Sequence, residues 1–290
     1  MRALNILLCL VLLVGWSASV EAEEGCSQQS LRLAVIPKKN MVELMREYQP
    51  LLQRLQQVAG VPVDIVAASS YESVVDAIVS GGVDIAWLGP ASYVLAYRRD
   101  PAIEPFASLT ISQGYFTPAG HHYQSLLLVR REGATKLDAL IGKRLALSDP
   151  ASTSGSVVPK AEFSAKVGVP LTRYFGSTVY TGSHDKSLDA LLQGKVDAAF
   201  VSSVQTDAFL NSGKIERDTL RVLWRSAPIY YDPFVFRGGL CPALKERVRS
   251  AMLSDPQALT EFLQAERASD VVPVSHANYE SLVQMMQPTP

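Results

Sequence analysis

A run of hydroxyl side chains lies in the second half of the chain, between a predicted strand and a predicted helix. It consists of Ser152, Thr153, Ser154 and Ser156, with Gly155 among them. A helix N-terminus binds anions because it presents unpaired N–H groups and a partial positive charge. The hydroxyls add neutral donors, and the glycine lets the backbone approach a ligand closely. The loop is therefore a candidate anion site, with a plain helix N-cap as the alternative.

Two shorter polar segments lie at the edges of predicted strands. Residues 181–185 contain His184 and Asp185 just before a predicted helix, and residues 230–233 contain Asp232 just before a proline. Ligands of open α/β sheets lie beyond the carboxyl ends of the strands, so these side chains are candidates for the same site. The structural alternatives are helix capping for the first segment and a simple turn for the second.

The elements that must position these side chains alternate between strand and helix. This alternation predicts an α/β fold with largely parallel sheets and right-handed crossovers. Pro50 should kink or break its helix, and Pro159 is tolerated only within the first turn of its helix. Strands are predicted at 31–36, 63–67, 83–88, 144–148, within 174–181, and at 198–201, 220–225 and 233–237, and helices at 41–58, 70–80, 91–99, 156–167, 185–193, 242–253, 256–266 and 278–286.

Two stretches of the chain resemble copies of one unit. Residues 76–87 align without a gap on residues 189–200, with six of the twelve positions identical. Upstream, residues 32–35 match residues 144–147 at nearly the same offset, so the spacing between strand and helix is kept. The repeat predicts two similar α/β halves, and clefts between such halves are favoured sites for small ligands.

We expect two lobes that are joined by a two-segment hinge. The first lobe would consist of residues 27–112 and 235–290, and the second of residues 113–234. The hinge segments would lie near residues 111–124 and 227–234. The chain has 290 residues, which is enough for two lobes of ordinary domain size.

The N-terminus indicates export. A positive start, an apolar run at residues 6–16 and small residues before position 22 predict a secretory signal peptide at residues 1–22, and hence a periplasmic protein. Cys9 would leave with the signal, so Cys26 and Cys241 remain as an even pair in an oxidising compartment. A disulfide between them is predicted, with two unpaired thiols as the alternative.

The composition excludes several classes of function. Hydrophobic residues make up 48% of the chain, charged residues 19%, and the formal net charge is −1. No basic run supports nucleic-acid binding. Adjacent histidines at positions 121 and 122 would point to opposite faces of an extended segment, so they form a poor metal pair. A metal site made by one of them with His184 is the alternative. We expect a monomeric protein with no metal, no cofactor and no nucleic-acid partner.

The order of these motifs resembles one family. The chain is similar to the periplasmic phosphate/phosphite/phosphonate-binding proteins of ABC importers, a branch of the type II solute-binding proteins. The similarity extends roughly from Leu31 to Leu253. The matching features are residues 83–90 with Tyr93, then Tyr123, residues 149–155, residues 182–185 and residues 231–233.

The resemblance implies the type II periplasmic binding protein fold and a role for each matching residue. The protein would capture a phosphorus oxyanion in the cleft and deliver it to a membrane permease, without catalysis. The hydroxyl loop would bind the P–O oxygens, His184 would donate a hydrogen bond, and Asp232 would accept one. The implied ligand-binding residues are Trp87, Tyr93, Tyr123, Ser152, Thr153, Ser154, Gly155, His184, Asp185 and Asp232.

Charged side chains near the site bear on the choice of ligand. A carboxylate at Asp232 accepts a hydrogen bond from a P–OH group and would reject fully ionised sulfate. His184 occupies a position where an acid would hold a ligand's ammonium, which favours a simple oxyanion, although Asp185 and Asp232 could still take an amine. Lys38 and Lys39 depart from the family pattern: they are either solvated, or one of them reaches the cleft and favours a more negative ligand.

Two alternative functions remain open at this point. An orphan sensor of the same fold would pass the ligand signal to a membrane protein instead of a transporter. A secreted hydrolase could use Ser154, His184 and Asp232, which are the residue types of a nucleophilic triad. The chain lacks the Gly-x-Ser-x-Gly elbow around Ser154, so the hydrolase is the more remote alternative.

Overall fold

The computed structural model describes residue 26 and residues 28–287. The predicted signal peptide at residues 1–22 lies outside these described residues. Within them, no helix is both long enough and apolar enough to cross a bilayer. The same part of the chain contains no group of three or more His, Cys, Asp or Glu side chains placed to hold a metal ion.

Thirteen strands lie in the described part of the chain, and their positions follow the predicted alternation closely. The strands are β1 (Leu31–Val35), β2 (Val63–Val66), β3 (Ile85–Trp87), β4 (Glu104–Ile111), β5 (His122–Tyr123), β6 (Ser125–Arg130), β7 (Arg144–Leu147), β8 (Ser177–Tyr180), β9 (Ala198–Ser202), β10 (Leu220–Arg225), β11 (Ile229–Tyr230), β12 (Phe234–Phe236) and β13 (Ala268–Pro273).

Helices separate most of these strands. The longest, Met41–Ala59, continues across Pro50, so the expected break does not occur. The α-helices are α1 (Met41–Ala59), α2 (Tyr71–Val79), α3 (Pro90–Arg99), α4 (Ser164–Val167), α5 (Leu171–Tyr174), α6 (His184–Leu192), α7 (Ser203–Asn211), α8 (Pro242–Leu253), α9 (Thr260–Glu266) and α10 (Glu280–Met285). Short 3₁₀ turns span Leu137–Leu140, Pro256–Leu259 and His276–Tyr279, and two π-helical segments span Thr153–Val157 and Pro159–Phe163.

Two large sheets repeat one strand order. The six-stranded sheet runs β13-β4-β12-β3-β1-β2, and the five-stranded sheet runs β10-β6-β9-β7-β8. In the six-stranded sheet, β12 lies between β3 and β4, and in the five-stranded sheet, β6 lies between β9 and β10. Each of these two strands follows a segment in which the chain crosses from one half to the other. The α/β fold with two similar halves is therefore confirmed.

The sheets are mixed rather than mostly parallel. Strands β1, β2 and β3 pair in parallel, as do β7, β8 and β9. The strands that cross over run the opposite way, because each begins where its neighbour ends: Phe234 of β12 pairs with Trp87 of β3, and Ser125 of β6 pairs with Ser202 of β9. The expectation of mostly parallel sheets missed this, since it did not include the direction in which the chain returns.

The first copy of the repeat is held together by Arg32. Its backbone N–H donates to the carboxylate of Asp84 at 2.8 Å, and its guanidinium donates to the carbonyl of Gly81 at 2.9 Å. Gly81 has φ of 74°, a conformation that glycine adopts without strain. These bonds tie the beginning of β1 to the turn that precedes β3.

The second copy makes the same contacts. The backbone N–H of Arg144 donates to Asp197 at 3.0 Å, and its guanidinium donates to the carbonyl of Gly194, also at 3.0 Å. Gly194 has φ of 70°. Two of the six identical positions, the glycine and the second aspartate, thus fasten the first strand of each repeat to its third strand.

A disulfide joins Cys26 and Cys241, whose Cα atoms are 5.9 Å apart. This separation is usual for disulfides. The bond connects the segment before β1 to the residue that precedes α8, and 215 residues separate the two cysteines along the chain. A link that closes so long a loop restricts the unfolded chain strongly.

Candidate functional site

A small pocket lies between the two large sheets, and we call it the central pocket. The empty space enclosed by its lining atoms is about 330 Å³, a figure that includes part of its opening to solvent. Its walls come from both halves of the chain and from the segments that connect them. The lining residues are Ile36, Lys38, Tyr71, Gly89, Tyr123, Ser152, Thr153, Ser154, His184, Ser202, Val204, Gln205, Tyr231 and Asp232.

The hydroxyl loop forms the start of a helix that is wider than an α-helix. The helical turns begin at Thr153 rather than at the predicted Ser156, and the N–H of Val157 donates to the carbonyl of Ser152, five residues back. Such π-helical turns are rare and are frequent at functional sites. Pro159 lies beyond the first turn of this run and is the first residue of the second π-helical segment.

The wide turns are compatible with Pro159 because other groups donate hydrogen bonds to the carbonyls to which proline cannot donate. Proline has no N–H, so it leaves the carbonyls four and five residues back without their helical donor. The carbonyl of Gly155 accepts from the backbone N–H of Ser148 at 3.2 Å. The carbonyl of Ser154 accepts from the hydroxyl of Ser125 at 2.6 Å. The helix is thereby fastened to strands of the five-stranded sheet.

Gly155 is needed for close packing at the loop. A Cβ at this position would lie 2.3 Å from Ser148 Oγ and 2.9 Å from Ser152 Oγ. The backbone N–H of Gly155 also donates to Ser152 Oγ at 3.1 Å, which makes Ser152 the helix N-cap. Gly155 does not line the central pocket; it allows the hydroxyl loop to lie against the end of β7.

Hydrogen bonds join the two halves of the chain beside the pocket. The N–H of Ala91, at the start of α3, donates to Thr153 Oγ1 at 2.8 Å. The hydroxyl of Ser92 donates to the carbonyl of Ala151 at 3.0 Å. The two sheets are therefore in a closed arrangement, with the N-terminus of α3 in contact with the hydroxyl loop.

His184 is a neutral hydrogen-bond donor in this pocket. The backbone N–H of Ser202 donates to His184 Nδ1 at 3.3 Å, so Nδ1 is unprotonated, and the hydroxyl of Ser148 lies 2.8 Å from the same nitrogen. The proton of the neutral ring is then on Nε2, which lies 3.4 Å from Ser152 Oγ and 3.5 Å from Ser154 Oγ. Burial, with the charge of Lys38, lowers the pKa of His184 to about 3, so the ring stays neutral at ordinary pH.

Asp232 supplies the acceptor. Its backbone carbonyl accepts from Trp87 Nε1 and from Ser108 Oγ, each at 3.0 Å, which fixes the main chain. The residue is 8% exposed, and no other described residue donates a hydrogen bond to its carboxylate. Burial raises the pKa of Asp232 to about 7, an effect that Lys38 opposes and Glu266 reinforces.

Three buried tyrosines complete the polar lining. Tyr71, Tyr123 and Tyr231 all have pKa values well above the ordinary value, chiefly because burial disfavours the phenolate. Each is therefore a neutral hydroxyl. The buried hydroxyl of Tyr71 has no hydrogen-bond partner among the described residues, so it is free to bind a ligand.

The geometry does not assemble a nucleophilic triad. His184 Nδ1 contacts Ser148 and the N–H of Ser202, so no carboxylate orients the ring. An imidazole with a pKa near 3 is also a weak general base at neutral pH. The pocket instead offers several neutral donors, one carboxylate and one buried cation, an arrangement suited to holding an anion.

Comparison with known proteins identifies the family of the chain. A sequence model of the family described as ABC transporter, phosphonate, periplasmic substrate-binding protein matches residues 33–279. The chain belongs to this family. Over 273 residues it is 29% identical to the phosphate-import protein PhnD of Mycolicibacterium smegmatis, and the alignment covers 88% of this chain and 84% of that protein.

Two solved structures share the family's fold. A binding protein component of an ABC phosphonate transporter from Pseudomonas aeruginosa superposes with a TM-score of 0.80 at 22% identity, covering 89% of this chain and 85% of the other. PhnD1 of Prochlorococcus marinus, solved in complex with methylphosphonate, superposes with a TM-score of 0.75 at 19% identity, covering 89% and 97%. The type II periplasmic binding protein fold is therefore shown.

Six of the ten implied ligand residues line the central pocket, and four lie outside it: Gly155, described above, and Trp87, Tyr93 and Asp185. The ring of Trp87 stacks on Phe234, and its indole N–H donates to the backbone carbonyl of Asp232. Tyr93 lies on α3, with its hydroxyl 2.8 Å from His276 Nδ1. Asp185 accepts hydrogen bonds from its own helix start and lines a second depression at the mouth of the cleft.

The sequence analysis did not identify several residues of the pocket wall. Tyr71 begins α2 directly after β2, and Ser202 ends β9, so both obey the strand-end rule that identified the hydroxyl loop. Tyr231 lies beside Asp232 in a segment already singled out. Gln205 lies in α7 and had no local signal.

Lys38 reaches the site, and Lys39 does not. The side chain of Lys38 is buried and lines the central pocket, so the interpretation that it is solvated is wrong. Lys39 instead pairs with Glu47 at the mouth of the cleft. Two adjacent residues of the same type thus have different roles.

Proposed function

We propose that the protein is a periplasmic substrate-binding protein that captures a small phosphorus oxyanion (phosphate, phosphite or a simple phosphonate) and delivers it to an ABC importer. It would act as a monomer in the periplasm and bind its ligand without chemical change. Membership of the phosphonate-binding family supports the transport role. The mycobacterial relative is named as a phosphate-import protein and PhnD1 was solved with methylphosphonate, and both are consistent with this ligand class.

The observation that carries the proposal is the polar lining of the central pocket. Ser152, Ser154 and the Nε2–H of His184 lie together as neutral donors. The unpartnered hydroxyl of Tyr71 adds another, while the Asp232 carboxylate accepts no bond from the described protein. A tetrahedral oxyanion with one protonated oxygen would offer acceptors to these donors and one donor to the carboxylate.

The Asp232 carboxylate explains how such a site would discriminate between phosphorus oxyanions and sulfate. The P–O oxygens would accept from the hydroxyls and from His184, while the P–OH group would donate to Asp232. Sulfate is fully ionised at neutral pH and has no proton to donate, so it would leave the carboxylate unpaired beside its own charge. Leaving a buried acceptor unpaired costs about 1–3 kcal/mol or more when it is charged, which gives a large preference.

The experiment is a calorimetric titration of the purified mature protein, stripped of bound ligand by reversible unfolding. The panel would contain phosphate, phosphite, methylphosphonate, 2-aminoethylphosphonate and sulfate. We expect micromolar or tighter binding of at least one of the first three and none of sulfate. Sulfate binding as strong as that of the phosphorus oxyanions would contradict the proposed role of Asp232. Failure of every phosphorus compound to bind would overturn the ligand class.

A further inference from the structure

The chain leaves β1 through a tight turn that directs Lys38 into the cleft. The strand ends at Val35, Pro37 follows, and the N–H of Lys38 donates to the carbonyl of Ile36 at 2.8 Å. This turn occupies the place that the hydroxyl loop occupies after β7 in the second half. The two equivalent loops thus face one pocket, one with hydroxyls and the other with an ammonium group.

The ammonium group of Lys38 is buried between a carboxylate and an aromatic ring. Lys38 is 4% exposed, and its Nζ lies 3.1 Å from Glu266 Oε2 and 3.8 Å from the centre of the Trp87 ring. Glu266 is also buried, and its other oxygen lies 3.8 Å from Lys39 Nζ. The carboxylate and the aromatic face compensate for removing this cation from water.

The charge of Lys38 acts on both sides of the pocket. It lowers the pKa of His184 in the second half of the chain and opposes the rise in the pKa of Asp232. Among the described residues that line the central pocket, Lys38 is the one carrying a fixed positive charge. If Lys38 were absent, only neutral hydrogen-bond donors would be left to offset the negative charge of a bound anion.

We propose that the Lys38–Glu266 pair sets the charge class of the ligand. Lys38 attracts the oxyanion and repels any ligand that carries an ammonium group, so the pocket takes phosphorus oxyanions without a cationic substituent. Glu266 holds Lys38 in position and at the same time weakens its field. This inference rests on the proposed function, because it assigns the selectivity of the same pocket.

Two substitutions should therefore shift affinity in opposite directions. Lys38→Met keeps most of the apolar stem over Trp87 and removes the charge, so phosphate affinity should fall about tenfold or more. Glu266→Gln keeps the shape of the side chain and removes the opposing charge, so phosphate affinity should rise several-fold. A double variant, Lys38→Met with Glu266→Gln, leaves no unpaired buried charge and remains informative if Lys38→Met alone fails to fold.

The readout is calorimetric titration of each variant with phosphate, methylphosphonate and 2-aminoethylphosphonate, with thermal unfolding to verify folding. In the wild type we expect methylphosphonate to bind at least about tenfold more tightly than 2-aminoethylphosphonate, and we expect this ratio to shrink in Lys38→Met and in the double variant. The matched control is Lys39→Met, which removes a neighbouring charge outside the pocket and should change the three affinities by less than about threefold.

The outcomes separate this inference from the proposed function. If the wild type binds none of the phosphorus compounds, the proposed function fails. If the wild type binds them and the folded Lys38 variants keep both the phosphate affinity and the ratio between the two phosphonates, only the inference about Lys38 is overturned. Equal losses in Lys38→Met and Lys39→Met would also overturn it, because they would indicate a general effect of surface charge.

Discussion

Asp232 and His184 illustrate how single residues divide the work of the central pocket. Both are buried, and burial shifts each pKa toward the neutral form: upward to about 7 for the carboxyl and downward to about 3 for the imidazole. In its ionised form Asp232 accepts a hydrogen bond from a P–OH group, and the neutral His184 donates one through Nε2. The charge of Lys38, which opposes the rise in the pKa of Asp232, favours that ionised form.

Replacement of the acceptor tests this division. Asp232→Asn keeps the size of the side chain but turns one acceptor oxygen into an N–H donor, so a P–OH group would meet a second donor. We expect phosphate affinity to fall at least about tenfold and the preference over sulfate to narrow. Calorimetric titration measures both, with Asp185→Asn as the control, since Asp185 lies outside the pocket. An unchanged preference over sulfate would remove Asp232 from the selectivity.

The low pKa of His184 predicts a pH dependence of folding stability. The unfolded imidazole binds a proton below about pH 6.5, whereas the folded one does so only near pH 3. The contribution of His184 is therefore fully present above pH 6.5 and declines as the pH falls, by about 1.4 kcal/mol per pH unit. In urea unfolding at pH 6.5 and 4.5, wild type should lose roughly 2–3 kcal/mol more than His184→Gln. Equal losses would show that His184 does not titrate in this way.

At the scale of elements, the helix that begins at Thr153 is central. Pro159 leaves two carbonyls of this helix without a helical donor. Ser148 and Ser125 donate to them, and these bonds place the hydroxyl loop over the end of the five-stranded sheet. The loop is thus positioned by the sheet and by α3, which reaches it through Ala91. A change in packing under the loop should therefore affect ligand binding without touching the ligand.

Gly155→Ala makes such a change. The added methyl group would lie 2.3 Å from Ser148 Oγ, so the loop or the end of β7 must shift. We expect a loss of about 1–3 kcal/mol in the free energy of unfolding and weaker phosphate binding. Gly82→Ala is the control, since its methyl group would have no neighbour nearer than 3.3 Å and should leave phosphate affinity unchanged. Wild-type binding by Gly155→Ala would show that the loop tolerates displacement.

At the scale of the whole molecule, the two halves are joined at opposite sides of the pocket. Strands β5 and β11 lie in the two segments where the chain crosses from one half to the other, and they pair with each other. Bonds from Ala91 and Ser92 to the hydroxyl loop close the other side. We expect residues 27–112 with 235–290 and residues 113–234 to move as two bodies about the crossing segments, with the ligand favouring the closed state.

Ser92→Ala tests the closure without altering the pocket wall. The variant removes the bond from the Ser92 hydroxyl to the carbonyl of Ala151, which is 3.0 Å long and joins the two halves. A hydrogen bond of this kind contributes about 0.5–1.5 kcal/mol, so phosphate affinity should fall about three- to tenfold, mainly through faster dissociation. Stopped-flow measurement of dissociation checks this.

The control for that experiment is Ser187→Ala. Ser187 is equally buried, but its hydroxyl bonds to Thr181 within one half of the chain. Its loss should lower stability while leaving the dissociation rate close to that of wild type. If the two variants release phosphate at the same rate, the bond across the cleft does not hold the closed state.

Much of the fold and of the central pocket could be predicted from local patterns. The repeat around Arg32 and Arg144 identified two similar halves because both copies need the same short-range contacts between neighbouring strands. The hydroxyl loop and His184 were found because a strand that ends before a helix places its next residues at the edge of the sheet. Such signals extend over about a dozen residues, so a sequence contains them directly.

The direction of individual side chains was decided only by the tertiary structure. Lys38 and Lys39 are adjacent and identical in type, yet one meets Glu266, 228 residues away, and the other pairs with Glu47. Tyr93 matched the family motif but turned toward His276, while Tyr71, without a motif, entered the pocket. A buried charge or hydroxyl lies where a distant partner offsets its loss of water, and no local pattern in the sequence reveals that partner.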